Sequence, residues 1–429
     1  MMSSKKKVLI ITYYWPPAGG PGVQRWLKFS KYLRDYDIEP VIYTIDNPTY
    51  PILDSSSENE IPNGIEVLKQ PIFEPNSILT FFGVNNKNES AGFLNPNPTL
   101  FGKIIQYIRA NYFIPDARKF WVKPSIKFLS NYLKNHQIDA IISTGPPHSV
   151  HLIGLELKKQ IGIKWISDFR DPWTEIDYFK QLPLTKKATK KHHQLEQEVL
   201  KNSDITIVVG ETMKQKYLKH TRRIEVITNG FDSIQNSLPQ ILDSNFSITH
   251  VGSMNFDRNP KILWEVLKEI SDTNTNFKKD LKIKFIGKID DSVLQDVKIF
   301  GEKSVQIIPY VDHRDVYSYQ VSSQILLLSI NNVSSAKGII TGKIFEYLQA
   351  ERPILCIGPE DGDAAIILKN TNAGKIVDFK NKAVLKSVIL DFYEKYKEGN
   401  LQVESGSIDQ YHRKNKTSQL AEVIKKVVY

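Results

Sequence analysis

The chain has 429 residues, 41% of them hydrophobic and 24% charged, with a net charge of +10 and one cysteine. That length suits two domains with a core each, and a lone Cys356 excludes an internal disulfide framework and fits a reducing cytoplasm. No apolar run approaches the ~20 residues that cross a bilayer, while the basic balance favours an anionic partner: nucleic acid, anionic lipid or nucleotide phosphates.

In chain order, Val8–Thr12 reads as a buried strand rather than part of a secretion signal. Tyr14-Trp15-Pro16-Pro17-Ala18-Gly19-Gly20-Pro21-Gly22 follows and opens a helix over 22–34. Glycines at a strand's C-terminal end let the backbone approach a ligand closely, so Gly19, Gly20 and Gly22 are candidate loop residues near a donor or acceptor. A turn that merely needs positive φ is the alternative. The loop is not GxGxxG, and no acidic residue closes the next strand, 40–44, in the dinucleotide pattern, so NAD binding is disfavoured.

The segment 76–98 is long, irregular and rich in Asn and Pro, and carries Phe81, Phe82 and Phe93. Between Lys103 and Lys134, Arg109, Arg118, Lys119, Lys123 and Lys127 interleave with Phe101, Tyr107, Tyr112, Phe113, Phe120, Trp121, Phe128 and Tyr132. Exposed aromatics there would make an anionic-membrane surface; buried ones would make two amphipathic helices. A strand over 140–143 meets a helix over 149–160 through Gly145-Pro146-Pro147-His148-Ser149, where Ser149 reads as the N-cap, His148 as a candidate facing a cleft, and His151 as packed. A strand over 164–167 runs directly into Asp168-Phe169-Arg170-Asp171-Pro172-Trp173. Charges this close either pair or serve a polar ligand. One acid would clamp Arg170; the other would orient a sugar or assist proton transfer, which makes Asp168, Arg170 and Asp171 catalytic candidates.

Helices over 185–201 and 212–219 and strands over 205–209 and 225–227 complete the first half. The Asn229-Gly230-Phe231-Asp232 turn and the aperiodic polar stretch 233–245 form the linker. The second half repeats the alternation, with strands at 247–251, 282–286, 305–308, 325–329, 353–357 and 375–377 and helices at 260–270, 314–321, 342–350 and 364–369. After its first strand, Gly252 permits close backbone approach, Ser253 follows, and Arg258 suits bidentate contact with a pyrophosphate. Thr341-Gly342-Lys343-Ile344-Phe345-Glu346 reads as a loop opening a helix, where free N–H groups suit a phosphate and Glu346 reaches a hydroxyl one turn in. An ordinary helix–strand unit in which the Glu caps its own helix is the other reading. Leu420, Val423, Ile424 and Val427 give a terminal helix over 417–428 an apolar face. No metal-ligand spacing and no Gly-x-Ser-x-Gly elbow appears, which argues against a metal site and against a serine hydrolase. A basic nucleic-acid-binding protein is disfavoured, because the charge is spread over an α/β pattern without a recognition motif.

These motifs together resemble the GT-B glycosyltransferases, and within them the retaining family 4 enzymes of bacterial surface-polysaccharide assembly. The resemblance implies two tandem Rossmann-like domains with a deep interdomain cleft. An acceptor domain would occupy 1–232 and a nucleotide-sugar domain 246–405, with 406–429 returning to the first. It implies that Glu346 contacts the donor ribose, that Arg258 contacts the diphosphate with Gly252, Ser253, Thr341, Gly342 and Lys343 around it, and that no metal or cofactor beyond the nucleotide-diphospho-sugar co-substrate is used. The acceptor would be a glycan or lipid-linked glycan at the cytoplasmic membrane face, with no nucleic acid involved. Two departures stand out: Gly338 occupies the position of the family's earlier Glu, and Ser253 that of its first basic residue. A nucleotide-sugar 2-epimerase of the same fold is the alternative.

Overall fold

The computed structural model describes residues 5–48, 50, 52–74, 100–233, 241–309, 311 and 313–429. Phe81, Phe82, Phe93 and most of the linker lie outside the described residues. The chain divides into two compact units, residues 1–229 with 413–429, and residues 230–412.

In the first unit β1 (Lys6–Thr12) leads through α1 (Pro21–Tyr32) to β2 (Ile38–Ile45) and β3 (Glu66–Gln70). After α2 (Leu100–Tyr112) and α3 (Lys119–Asn135) come β4 (Ala140–Gly145), α4 (Ser149–Ile161) and β5 (Lys164–Phe169). Then α5 (Lys186–Asn202), β6 (Ile205–Val208), α6 (Glu211–Tyr217) and β7 (Ile224–Val226) close the sheet, in the all-parallel order β3-β2-β1-β4-β5-β6-β7. Parallel strands covered on both faces must be apolar on both faces. Accordingly Val8 and Ile10 of β1 point into one core with Val23 and Leu27 of α1, while Leu9 and Ile11 point into the other with Trp121, Leu129 and Ile153.

The second unit runs β8 (Phe246–Val251), α7 (Lys261–Thr273), α8 (Thr275–Asp280), β9 (Leu281–Ile286), α9 (Asp291–Val297), β10 (Val305–Ile308) and α10 (His313–Ser322). It continues β11 (Ile325–Ser329), α11 (Lys343–Gln349), β12 (Ile354–Ile357), α12 (Asp363–Thr371), β13 (Gly374–Val377) and α13 (Lys382–Lys397). Its sheet is parallel in the order β10-β9-β8-β11-β12-β13. Alternation again separates two cores: Leu327 packs with Leu263 and Leu267 of α7, whereas Leu326 and Leu328 pack with Ile344, Phe345 and Leu348 of α11. Cys356 is fully buried, and burial pushes its thiol well above the ordinary range.

The last helix, α14 (Arg413–Val428), belongs to the first unit. Its Leu420, Val423, Ile424 and Val427 are buried against the α1 face of the sheet. Each such side chain contributes about 1.5–3 kcal/mol of burial, enough to hold a helix that isolated propensity would not. In each sheet the strand order reverses once, between β1 and β4 and between β8 and β11. Loops leaving the C-terminal edge diverge at such a switch point and leave room for a ligand.

Candidate functional site

In the second unit the loops after β8 and β11 meet at the switch point. Gly252 sits at φ +89, and Gly287 at φ +119 packs directly behind it. The Gly252 N–H donates to the Ile286 carbonyl at 2.7 Å. A Cβ at Gly252 would stand 2.7 Å from Lys343 Cε, so only glycine lets that lysine lie across the turn. Lys343 Nζ contacts His250 Nε2 at 3.0 Å and donates to the Ser253 carbonyl at 3.1 Å. The His250 Nδ1 to Leu327 carbonyl contact of 3.1 Å makes Nδ1 the donor and leaves Nε2 as the acceptor for lysine.

Arg258 closes a helical turn, Phe256–Arg258, and is fixed by its Nε donating to Asn331 Oδ1 at 2.7 Å. The Ser329 hydroxyl donates to its carbonyl at 2.6 Å. The Thr341 hydroxyl, just before α11, is buried without a hydrogen-bond partner. Gly342 is the residue preceding α11, and Glu346 lies one turn in, half-buried, accepting from Gln320 Nε2 at 3.2 Å. The Ser253 side chain is exposed. All seven residues read from the sequence therefore come to one corner of this unit. His250, Gly287, Gln320 and Asn331 join them there unforeseen. His250 was visible in the His250-Val251-Gly252 run, but nothing local says that its ring meets a lysine 93 positions away.

In the first unit the acidic pair of 168–171 resolves differently from the expectation. Asp168 is completely buried. Arg25 Nη2 donates to its Oδ1 at 2.9 Å, and Trp26 Nε1 and Thr144 Oγ1 each donate to its Oδ2 at 2.8 Å. Arg25 also donates to the carbonyls of Ile227 and Thr228, both at 3.0 Å. Asp168 is thus a buried clamp joining α1, β5 and the segment after β7, engaged at both oxygens, and its partner is Arg25 rather than Arg170. The expectation that one of the acids clamps Arg170 is corrected: Asp168 clamps Arg25. Arg25 was missed because it lies within the buried stretch of α1, beside Val23, Trp26 and Leu27, where a sequence reading expects only core.

Arg170 holds two loops together through backbone oxygens: it donates to the Gly22 carbonyl at 2.7 Å, to Gly145 at 3.3 Å and to Pro146. A Cβ on Gly22 would meet Arg170 Nη1 at 2.7 Å. Gly20 precedes α1 at φ +92, and the Gly19 N–H donates to the Ile52 carbonyl at 2.9 Å. Asp171 is exposed. His148 is buried, stacked on Trp173 with ring centroids 4.9 Å apart and planes 2° from parallel, and neither ring nitrogen has a partner. Burial holds it well below the usual histidine range, so it is neutral at physiological pH. His151 packs as expected, with Nδ1 2.9 Å from Ser143 Oγ, and burial lowers it to about 3. Ser149 is not a self-contained cap: α4 starts at Ser149, and Asp116 takes its N–H at 2.9 Å and its hydroxyl at 2.6 Å. A carboxylate from a distant loop replaces the local hydroxyl and also suits the helix's positive end.

Two parallel sheets of seven and six strands, each with a switch point and a loop cluster at its C-terminal edge, define an α/β fold of the GT-B type. The chain is similar in structure to Anabaena HepE in complex with UDP-glucose (TM-score 0.60, 12% identity, covering 98% of this chain and 99% of that one). It is likewise similar to sucrose-phosphate synthase from Thermosynechococcus elongatus (TM-score 0.57, 12% identity, 98% of each chain). A third similar structure is a putative UDP-N-acetylglucosamine 2-epimerase from Listeria monocytogenes (TM-score 0.56, 12% identity, 98% and 96%). No family model and no curated protein sequence matches the chain.

Proposed function

We propose that this chain is a retaining, metal-independent glycosyltransferase that moves a sugar from a nucleotide-diphospho-sugar to a glycan or lipid-linked glycan acceptor. The observation that carries this reading is the basic corner at the second switch point. Lys343 and Arg258 are fixed beside the Gly252 turn, with an unpartnered Thr341 hydroxyl and Glu346 within the same loop and helix. Preorganised cations stabilise the charge that develops on a leaving diphosphate, the task a metal performs elsewhere. Glu346 accepts from the ribose hydroxyls, and Gly252, Ser253, Thr341 and Gly342 shape the phosphate cradle. Two of the similar proteins, HepE in complex with UDP-glucose and a putative UDP-N-acetylglucosamine 2-epimerase, support this reading.

In the first unit, Asp171 is the carboxylate left to orient a sugar hydroxyl once Asp168 is committed to Arg25. His148, neutral and buried on Trp173, supports the Asp171 loop from within, and Arg170 holds the glycine loop that carries Gly19, Gly20 and Gly22. For the acceptor side, Phe101, Ile104, Ile108 and Tyr112 lie on one exposed stripe of α2, next to exposed Lys103 and Arg109. A stripe of that composition suits the headgroup region of an anionic bilayer, on which a lipid-linked acceptor would be presented at the cytoplasmic face. Among the described residues no helix is long and apolar enough to cross a membrane.

Incubation with a panel of nucleotide sugars, with and without glycan acceptors, followed by mass spectrometry of the nucleotide products, tests the proposal. Acceptor-dependent release of a nucleoside diphosphate is expected. Acceptor-independent interconversion of two nucleotide sugars would replace it with the epimerase reading.

A further inference from the structure

The mechanism above uses Lys343 as a cation, yet its surroundings are those of a lysine that gives up its proton. His250 (β8) is 1% exposed and accepts from Nζ; Arg258, from the turn after β8, faces the same amine, and among the described residues Glu346 from α11 is the opposing charge. The Gly252 backbone covers the side chain's Cε. Burial first, and then Arg258, lower Lys343 to about 7, Glu346 acting against them. His250 is held well below its usual range by burial, then by Lys343 and Arg258. The ring therefore stays an acceptor, and the amine is the group that titrates near neutrality.

We propose that His250 is a positioning residue for the donor diphosphate: it parks the Lys343 amine at the Gly252 turn as a permanent acceptor, so that a diphosphate entering the turn draws a proton from solvent onto Nζ. This rests on the donor-site reading of the second unit and adds to it a proton stoichiometry and a role for His250. The sign follows from charge: an anion beside Nζ favours the ammonium form and returns it toward its ordinary range. Below about pH 7 the amine is already charged and binding takes up no proton there; above it, one proton is taken up per diphosphate bound, and affinity falls as pH rises.

Titration calorimetry of the full chain with UDP, GDP and ADP, in buffers of different ionisation heat at about pH 8, measures the uptake directly. A terminal phosphate, whose second pKa is about 6, is then fully ionised and contributes nothing. The wild type should take up close to one proton. Lys343→Met should take up none and bind about tenfold more weakly, the scale for a lost charged hydrogen bond. His250→Gln supplies another neutral acceptor and should keep uptake and affinity within about twofold. His250→Leu removes the acceptor that holds the amine at the turn, so affinity should fall about tenfold while circular dichroism stays native, and His250→Gln should restore it. Nucleotide binding by the wild type without proton uptake, or affinity unchanged in His250→Leu, overturns this inference and leaves the donor site standing. Failure of all three nucleotides to bind at any pH overturns the donor-site reading itself.

Discussion

Replacing Asp168 by Asn separates a structural carboxylate from a catalytic one. The substitution keeps the shape of the side chain but leaves Arg25, 4% exposed, without the one carboxylate it meets among the described residues, at 2.9 Å. Trp26 Nε1 and Thr144 Oγ1, both donors to Oδ2, would then meet a neutral amide that offers one oxygen in place of two. Removing one member of a buried ion pair costs about 3–5 kcal/mol, because the remaining charge stays desolvated. For a unit of this size each kcal/mol moves the melting temperature by roughly 2–4 °C, so the loss should be roughly 6–20 °C. Scanning calorimetry or thermal melts followed by circular dichroism would resolve it, fitted as separate transitions if the two units unfold independently. Because Arg25 also grips the Ile227 and Thr228 carbonyls, the stretch after β7 should gain hydrogen exchange in the same variant. An Asp168→Asn protein that melts within a degree or two of wild type yet has lost turnover would refute the clamp and return Asp168 to the chemistry.

The other expectations concern the proposed donor site and the membrane. Gly252→Ala forces a side chain into φ +89 and against Lys343 Cε; about 1–3 kcal/mol of strain is expected, along with weaker nucleoside diphosphate binding by calorimetry, and unchanged affinity would show that Lys343 need not lie on that turn. Glu346→Gln should weaken the same binding by roughly 1–3 kcal/mol, the cost of losing a charged hydrogen-bond acceptor; equal affinity with an intact fold removes its ribose role. Turnover should persist in EDTA, and activity lost on chelation and restored by magnesium or manganese would end the metal-free mechanism. Sedimentation with anionic liposomes should show binding that disappears at high salt, each basic residue contributing about 1 kcal/mol near the surface. Lys103→Glu should weaken it, and wild-type protein that stays in the supernatant at low salt would make the α2 stripe an ordinary exposed face.

What the sequence determines by itself is local. Apolar runs such as Val8–Thr12 and Ile325–Ser329, each preceded by a short polar run (Lys5–Lys7 and Ser322–Gln324), specify strands because periodicity acts over a few residues. Those strands alternate with helices, so the parallel sheets follow from connection rules, and the loops at their C-terminal ends become the place to look for a ligand. Gly252, Arg258, Lys343 and Glu346 were legible on that basis, since each sits in or just beyond such a loop. The missed helices α8, α9 and α13 and strand β3 are short or carry mixed patterns whose burial is decided by neighbours.

The tertiary structure alone decided which charge meets which. Asp168 has Arg170 two residues away, yet pairs with Arg25, 143 positions distant, because β5 is flanked by β4 and covered by α1, which leaves Arg170 free to bind backbone carbonyls. Asp116 caps α4 from a loop 33 residues earlier, and His250 reaches Lys343 across 93 residues. The aromatics of 101–134 split in the same way: Trp121 and Tyr132 are core, while Phe101 and Tyr112 are exposed, although both sets have the same composition and similar helical spacing. Hydrophobic periodicity specifies that a face is apolar, but only packing specifies what, if anything, lies against it. Ionic pairing is less local still, because a buried charge takes the partner that the chain's topology brings within about 3 Å, whatever the distance along the sequence.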